Sequence, residues 1–339
     1  MITAKELAEV VLQITDQQIL NRVEAVIAEP EIKDLIDKIS KDRNNSFSAQ
    51  DQNVIRTAVL EAPGSLKDKV NFLNTCLNVG YIDMGKLLRE STEKVVNLVQ
   101  HVGTKADPVF KYVTEKLAGR GGGGFNLGSG AAVGPGEGWF ILVAKGVTKG
   151  RVGDLMFNNE DVELKANAAR WHSARAQYKS VADSYKIAFK YLTDRGMSAS
   201  FEEFKRAADF RSTNFPTEGK VKSLGISVSD FTNAFAEGFA HVLPKEADVS
   251  FLRQNWVGNS NKFRASYAAA ISSAYQAADN WAFITQFDYQ KKTVVSCTSG
   301  KSVYDSIIKG SLKSSPTPDR NFFGGSDSRS MSPNFDVGR

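Results

Sequence analysis

The chain has 339 residues, of which 42% are apolar and 24% are charged, and this composition excludes collagen-like, coiled-coil and globally disordered proteins. No run of about eighteen apolar residues occurs, so we expect no membrane-spanning segment. The 43 basic residues nearly balance the 38 acidic ones, which permits a polyanionic partner such as DNA without requiring it. The N-terminus lacks the basic start and apolar block of a secretory signal, and the two distant cysteines form no disulfide framework. These features predict a cytoplasmic protein. With only three histidines, carboxylates are the expected ligands of any metal.

Residues 1–118 follow a helical pattern, with apolar residues recurring every three or four positions. Ser48 and Ser65 stand where helix N-caps are expected, the second for a helix running to Gly80. Further helical patterns cover Met84 to Val102 and Pro108 to Leu117. We predict a helix bundle, a kind of element that typically serves docking, homodimerisation or entry into a larger protein assembly.

Residues 119–138 contain ten glycines. A glycine-rich stretch of this kind predicts a flexible linker between domains. The alternative is a glycine lining that lets the backbone approach a ligand closely. No nucleotide-binding glycine motif is present in it.

Residues 139–310 alternate between strand and helix patterns. A first hairpin is predicted from 151–157 and 162–166, joined by turn residues, and a second from 283–288 and 292–297. A long helix is expected over 167–192, and more helices lie between it and the second hairpin. Residues 311–339, rich in serine, proline and glycine, are predicted to form an extended tail. The fold class is therefore mixed α+β.

Three charged residues lie close together in the first predicted hairpin. Asp154 stands on one strand, and Glu163 and Lys165 stand on the next, two residues apart, so they share a face of the sheet. Two carboxylates and a backbone carbonyl form a hard oxygen site suited to Mg²⁺, which accepts phosphate as a further ligand. A nearby lysine can hold or activate water. This pattern predicts phosphodiester hydrolysis, although an exposed hairpin with outward charges is the structural alternative.

The motif Gly-Asp-x8-Glu-Leu-Lys, preceded by Gly-Pro-Gly-Glu, resembles the PD-(D/E)xK nuclease superfamily over about residues 134–190. The resemblance implies a restriction-endonuclease-like α/β core with a small mixed sheet, here with a large helical insertion. It implies that Asp154 and Glu163 bind Mg²⁺, with Mn²⁺ as a substitute, and that Lys165 activates water. Glu137 is the candidate for the glutamate that this superfamily often places on a preceding helix. Because the Gln-x-x-x-Tyr signature of the exonuclease branch is absent, an endonuclease is expected.

One feature departs from the family pattern. The family core has a strand between its first helix and the strand that begins with the acid. If residues 137–147 form that helix, no room remains for the strand before Arg151. If Trp139–Val143 is instead the first strand, the three-stranded arrangement is restored but Glu137 moves to a loop.

The predicted helix after Lys165 carries four basic residues within one stripe: Arg175, Lys179, Lys186 and Lys190. Beside an acidic metal pocket such a stripe could neutralise DNA phosphates and give salt-sensitive binding. An ordinary amphipathic helix with a solvated lysine face has the same pattern.

A second function remains open from the sequence. The helical first part, the glycine-rich middle and the polar tail resemble a structural or assembly component, such as a protein of a tailed-phage virion, that keeps a nuclease-like fold. A protein of phage origin would be located in the virion. A virion can itself carry a nuclease, so the two functions are compatible.

Overall fold

The structure is a computed structural model, and its description covers residues 29–118, 135–151, 153–166, 169–171, 181–210, 215–288, 290–314 and 334–338. These residues divide into two units. The first lies within Met1–Met84 and Val99–Lys149, and the second within Gly85–Leu98 and Gly150–Arg339. The domains predicted from the sequence, with boundaries at residues 118 and 138, are continuous stretches of the chain, whereas each unit combines two separate stretches. Most of the predicted linker, residues 119–134, lies outside the described residues.

The first unit is mainly helical. Two helices, α4 (Met84–Ser91) and α5 (Leu98–Val102), cross the limits of this unit. The other elements are α1 (described over 29–42), α2 (Ala49–Glu61), α3 (Leu66–Asn78), α6 (Pro108–Ala118), α7 (Pro135–Val143) and β2 (Val147–Lys149). A row of touching aromatic rings fills its interior, formed by Phe72, Tyr81, Phe110, Trp139 and Phe140.

The predicted N-caps of this unit are confirmed. The hydroxyl of Ser48 accepts the backbone N–H of Asp51 at 3.1 Å, and the Asp51 carboxylate accepts the backbone N–H of Ser48 at 2.9 Å. Ser65 forms the same reciprocal box at the start of α3. Each box satisfies donors that the first helical turn leaves unpaired. Helix α3 ends two residues before Gly80, whose φ of +77° suits a glycine.

The continuous helical pattern from Met84 to Val102 is a wrong prediction. Helix α4 stops at Ser91, and Val96–Asn97 form the short strand β1 before α5 begins. The chain leaves the helix because it pairs with a distant strand: Val96 lies opposite Val294, and the Glu93 N–H donates to the Ser296 carbonyl at 2.9 Å. Long-range pairing here overrides the local period.

The second unit contains a mixed sheet, in which the strand order is β1-β7-β6-β4-β3. Its longer strands are β3 (Leu155–Phe157), β4 (Glu160–Ala166), β6 (Phe283–Asp288) and β7 (Thr293–Cys297). Both predicted hairpins are confirmed, since β3 pairs antiparallel with β4 and β6 pairs antiparallel with β7. Asn158 and Asn159 form the first turn with φ of 52° and 64°, the left-handed conformation that a two-residue hairpin turn requires.

Strands β4 and β6 are parallel, so a long crossover must connect them. The crossover includes the helices α8 (Val181–Thr193), α9 (Phe201–Ala207), α10 (Glu218–Lys222), α11 (Val228–Val242) and α12 (Ser260–Asp279). They enclose a core rich in phenylalanine, which includes Phe204, Phe231, Phe235 and Trp256. The mixed α+β class predicted from the sequence is thus confirmed, with five helices between the two parallel strands.

Two predictions fail around a second, smaller sheet. Its strands are β5 (Ala169–Arg170), β8 (Leu312–Ser314) and β9 (Asn334–Val337), in the order β5-β9-β8, and α13 (Gly300–Lys309) precedes β8. The predicted helix over 167–192 is therefore wrong at its start, where β5 stands. In the predicted tail over 311–339, residues 315–333 lie outside the described residues. Its two ends are not a free tail but form the paired strands β8 and β9, and Phe335 and Val337, which share a face of β9, are buried.

None of the helices in the described ranges has both the length and the apolar character that crossing a membrane would require.

Candidate functional site

Asp154 and Glu163 are brought together by the β3–β4 hairpin. Leu155 lies opposite Val162, so the next position outward sets Asp154 against Glu163 on the same face. The Asp154 carboxylate accepts the backbone N–H of Leu164 at 2.8 Å, and its own carbonyl accepts the N–H of Gly150 at 3.2 Å. Asp154 is therefore fixed beside Glu163 by backbone groups, although it lies just before β3 begins.

Lys165 lies on the same face as Glu163, because side chains of a strand alternate. Its Nζ forms an ion pair with Oε1 of Glu163. Glu163 is 7% exposed, which places its charge in a setting where an unpaired carboxylate would be costly. The lysine partly offsets that cost.

Tyr275 of α12 contacts this cluster and is not indicated by the sequence. Its hydroxyl donates to the same Oε1 of Glu163, and Nζ of Lys165 lies 5.6 Å from the centre of its ring. Burial raises the pKa of Tyr275 well above its usual range, and the charges of Glu163 and Asp154 raise it further. The tyrosine therefore remains a hydrogen-bond donor. It lies 112 residues after Glu163 in an ordinary helical pattern, so no spacing in the sequence could have indicated it.

The same face of the sheet continues into a buried polar pair. Gln286 lies opposite Lys165 on β6, and its Oε1 accepts the indole N–H of Trp171 at 2.9 Å. Trp171 in turn stacks on Phe335, with ring centres 4.0 Å apart. The residue beside Lys165 on the neighbouring strand, Gln286, is thus fully buried.

Glu137 lies in the first turn of α7, in the first unit, whereas Asp154, Glu163 and Lys165 belong to the second. Residues 139–143 are helical, so their interpretation as a first strand is wrong. The helix ends at Val143, and β2 follows at Val147–Lys149 before β3. A strand therefore does stand between this helix and Arg151. There is room for it because the helix ends at Val143 and does not extend to residue 147.

Two of the four residues in the predicted basic stripe lie on α8. Lys186 and Lys190 have side chains that are 70% and 74% exposed, and they pair with Asp183 at 3.3 Å and Asp194 at 2.7 Å. The other two, Arg175 and Lys179, lie outside the described residues. On the opposite side of α8, Tyr185 is buried in the phenylalanine-rich core. The observed part of the helix is thus amphipathic, with a solvated lysine face.

The donor set suits a hard divalent cation. In the part of the chain that the structure describes, no group of three histidine, cysteine, aspartate or glutamate side chains could hold a metal. Mg²⁺, however, commonly uses one or two carboxylates together with water and substrate phosphate. Asp154 and Glu163 meet that requirement, and the polar contacts around them are made by backbone and neighbouring side chains that fix their positions.

Comparison with protein-family models, with curated proteins and with solved structures finds no match to this chain.

Proposed function

We propose that the chain is a metal-dependent nuclease that hydrolyses phosphodiester bonds of DNA at Asp154, Glu163 and Lys165. The observation that carries the proposal is the register of the β3–β4 hairpin, which sets Asp154 opposite Glu163, together with the ion pair between Glu163 and Lys165 on the same strand. A buried carboxylate next to a second carboxylate attracts a divalent cation, and an amine beside them suits the chemistry of phosphate transfer.

Each residue has a distinct role in this proposal. Asp154 and Glu163 would hold Mg²⁺, with Mn²⁺ as a substitute. When bound, the cation supplies neutralisation of the phosphate charge and activation of water. Lys165 would orient the attacking water and donate to a phosphate oxygen, and to do so it must leave its ion pair with Glu163.

The order of elements supports the resemblance to the PD-(D/E)xK superfamily. A helix with Glu137 is followed by β2, by β3 with its preceding acid, by β4 with Glu163 and Lys165, and by a helical crossover to the parallel strand β6. This order agrees with a restriction-endonuclease-like core that carries a helical insertion in its crossover.

The proposal is tested by incubating supercoiled plasmid with the protein in Mg²⁺, Mn²⁺ or EDTA. We expect nicking or linearisation that requires the metal. Glu163→Gln should lower the rate by at least about 100-fold, since even outer-shell partners of a metal contribute about 10–100-fold. Glu160→Gln is the matched control, because Glu160 is exposed and lies on the opposite face of the same strand. Equal cleavage by Glu163→Gln and by the wild type would contradict the assignment.

A second measurement needs no substrate. A cation that binds the folded state raises its stability, by about 2.7 kcal/mol at a concentration 100 times the Kd. We expect Mn²⁺ to raise the melting temperature of the wild type and of Glu160→Gln, but not of Glu163→Gln. If Mn²⁺ stabilises none of them and the folded protein cuts no nucleic acid, a structural or assembly role becomes the better interpretation.

A further inference from the structure

Two donors converge on a single oxygen of Glu163. The Lys165 ammonium and the Tyr275 hydroxyl both contact Oε1. They come from different elements, since Lys165 is on β4 and Tyr275 is near the end of α12. The tyrosine is itself fixed, because its side chain is buried and its ring lies 6.2 Å, centre to centre, from Trp281.

The two donors differ in how far their side chains can move. Lys165 has a flexible side chain that is 20% exposed, and the proposed reaction requires it to move toward water and phosphate. Tyr275 has a rigid ring and few rotatable bonds, so its hydroxyl stays where the helix places it. When Lys165 moves away, Tyr275 is the donor that still holds Oε1.

We infer that Tyr275 is a positioning residue: its hydroxyl fixes Oε1 of Glu163 and so sets the orientation of the carboxylate that would hold the divalent cation. The inference rests on the proposed function, which it deepens. Outer-shell donors of this kind set the orientation of a ligand and commonly determine metal affinity by about 10–100-fold. The ring has a second effect, because a lysine ammonium within about 6 Å of an aromatic face is attracted to it, which keeps Lys165 near the site.

The experiment compares Tyr275→Phe with Tyr185→Phe, using Mn²⁺ alone as the probe in isothermal titration calorimetry. Tyr185 is a matched control because it is equally buried and its hydroxyl donates to the Ala208 carbonyl at 3.1 Å, within the helical core. We expect Tyr275→Phe to raise the Kd for Mn²⁺ at least about 10-fold. Tyr185→Phe should leave it within about twofold, although it also loses a buried hydrogen bond.

Kinetics separate positioning from a general loss of structure. For plasmid cleavage, Tyr275→Phe should lower kcat at saturating Mg²⁺ while the KM for DNA stays within about twofold, because the hydroxyl acts on the ligand and not on the nucleic acid. A second variant, Glu163→Asp, draws the carboxylate away from the hydroxyl and from the cation alike, so it is used as the background for a double-mutant comparison. In that background Tyr275→Phe should change the Kd for Mn²⁺ by no more than about twofold, because the hydroxyl no longer reaches the carboxylate.

The outcomes distinguish this inference from the proposed function. If the wild type binds Mn²⁺, Glu163→Gln does not, and Tyr275→Phe binds as tightly as the wild type, the positioning role is overturned and the metal site stands. An equal weakening by Tyr275→Phe in the wild type and in Glu163→Asp has the same meaning, because the hydroxyl would then act independently of the carboxylate. If the wild type neither binds Mn²⁺ nor cuts nucleic acid, the proposed function is overturned, and the role of Tyr275 with it.

Discussion

Each unit of the molecule buries a charged side chain, and the two are held in different ways. In the first unit Arg43 is fully buried. Its Nε donates to the carbonyl of Ile141 at 3.2 Å and its Nη2 to the carbonyl of Cys76 at 2.9 Å. Its Nη1 pairs with the carboxylate of the adjacent Asp42, so the bonds that reach other helices are those to backbone groups. In the second unit Glu163 accepts from the side chains of Lys165 and Tyr275.

The two buried charges differ in whether one of their partners can be replaced while the fold stays the same. The carbonyls that receive Arg43 belong to α7 and α3, so those bonds break only if helices move apart. The partners of Glu163 are side chains, one of which is long and partly exposed, and a cation could replace that partner without any change of fold. A buried charge held by backbone groups connects elements of structure, whereas a buried charge held by side chains is suited to binding.

The largest effect on stability is expected from Arg43→Met. The change leaves two buried carbonyl groups without donors, and each unsatisfied group costs about 1–3 kcal/mol. We expect a loss of about 3 kcal/mol in the free energy of unfolding, measured in denaturant. Arg56→Met is the control, because Arg56 is partly exposed and pairs with Glu29 at 2.9 Å, and a surface pair of this kind contributes about 0–1 kcal/mol.

The two cysteines can locate that loss, since one lies in each unit and both are buried. Burial raises the pKa of Cys76 well above its usual range and that of Cys297 to about 12. At pH 8 both are therefore protonated thiols in the folded state, and labelling by a thiol reagent requires local opening. Arg43→Met should speed the labelling of Cys76 roughly 100-fold and that of Cys297 much less. Equal acceleration of both cysteines would contradict the assignment of Arg43 to the first unit alone.

A smaller effect is expected at the helix caps, which occur in both units. Ser48→Ala removes the cap of α2 and Ser227→Ala removes the cap of α11, each at a cost of about 1 kcal/mol. Labelling should report them separately, with Cys76 faster in the first variant and Cys297 faster in the second. If either variant accelerates the cysteine of the other unit more, the two units do not open separately.

A still smaller effect is expected from Glu163→Gln, and it is the sharpest contrast with Arg43. The amide oxygen of Gln still accepts from Lys165 and Tyr275, and loss of a buried charge removes its desolvation cost. The free energy of unfolding without metal should therefore change by less than about 1 kcal/mol, and Glu160→Gln should change it no more. A loss of about 3 kcal/mol in Glu163→Gln would show that this carboxylate is a structural charge like Arg43.

The distance in sequence between interacting groups explains which features could be predicted. The caps at Ser48 and Ser65 and the turn at Asn158–Asn159 depend on groups within four residues of each other, so their residue types indicate them. The common face of Glu163 and Lys165 follows from the two-residue period of a strand. Asp154 could be placed near them because the turn residues at 158–161 indicate a tight hairpin, although the turn has two residues and not the four predicted.

What could not be predicted depends on groups far apart in the chain. Strand β1 forms because Val96 meets Val294, and β5 forms because Ala169 meets Phe335. Neither pairing leaves a local signal in two residues, so both segments were interpreted as helix. Tyr275 lies beside Glu163 because the helical crossover brings together two residues that are 112 positions apart in the chain. The half of the site that comes from the hairpin was therefore predictable, and the half that comes from α12 was not.

The smallest effect on stability is expected from the paired change Lys186→Ala and Lys190→Ala. Both ammonium groups are exposed and pair with carboxylates of the same helix or its end, so the free energy of unfolding should change by no more than about 0.5 kcal/mol for each lysine. Binding to DNA gives a separate test. If this face of α8 contacts phosphates, the slope of log affinity against log salt, measured by fluorescence anisotropy in EDTA, should fall by about 0.9 for each lysine.

Lys222→Ala serves as the control, since Lys222 is 69% exposed and pairs with Glu218 at 3.3 Å in the same manner. Its slope should match that of the wild type. A reduced slope in the paired variant alone would identify α8 as part of the DNA surface, because equal exposure and equal pairing would then have unequal effects on binding. An unchanged slope would mean that these two lysines contact no phosphates and only keep this face of the helix hydrated.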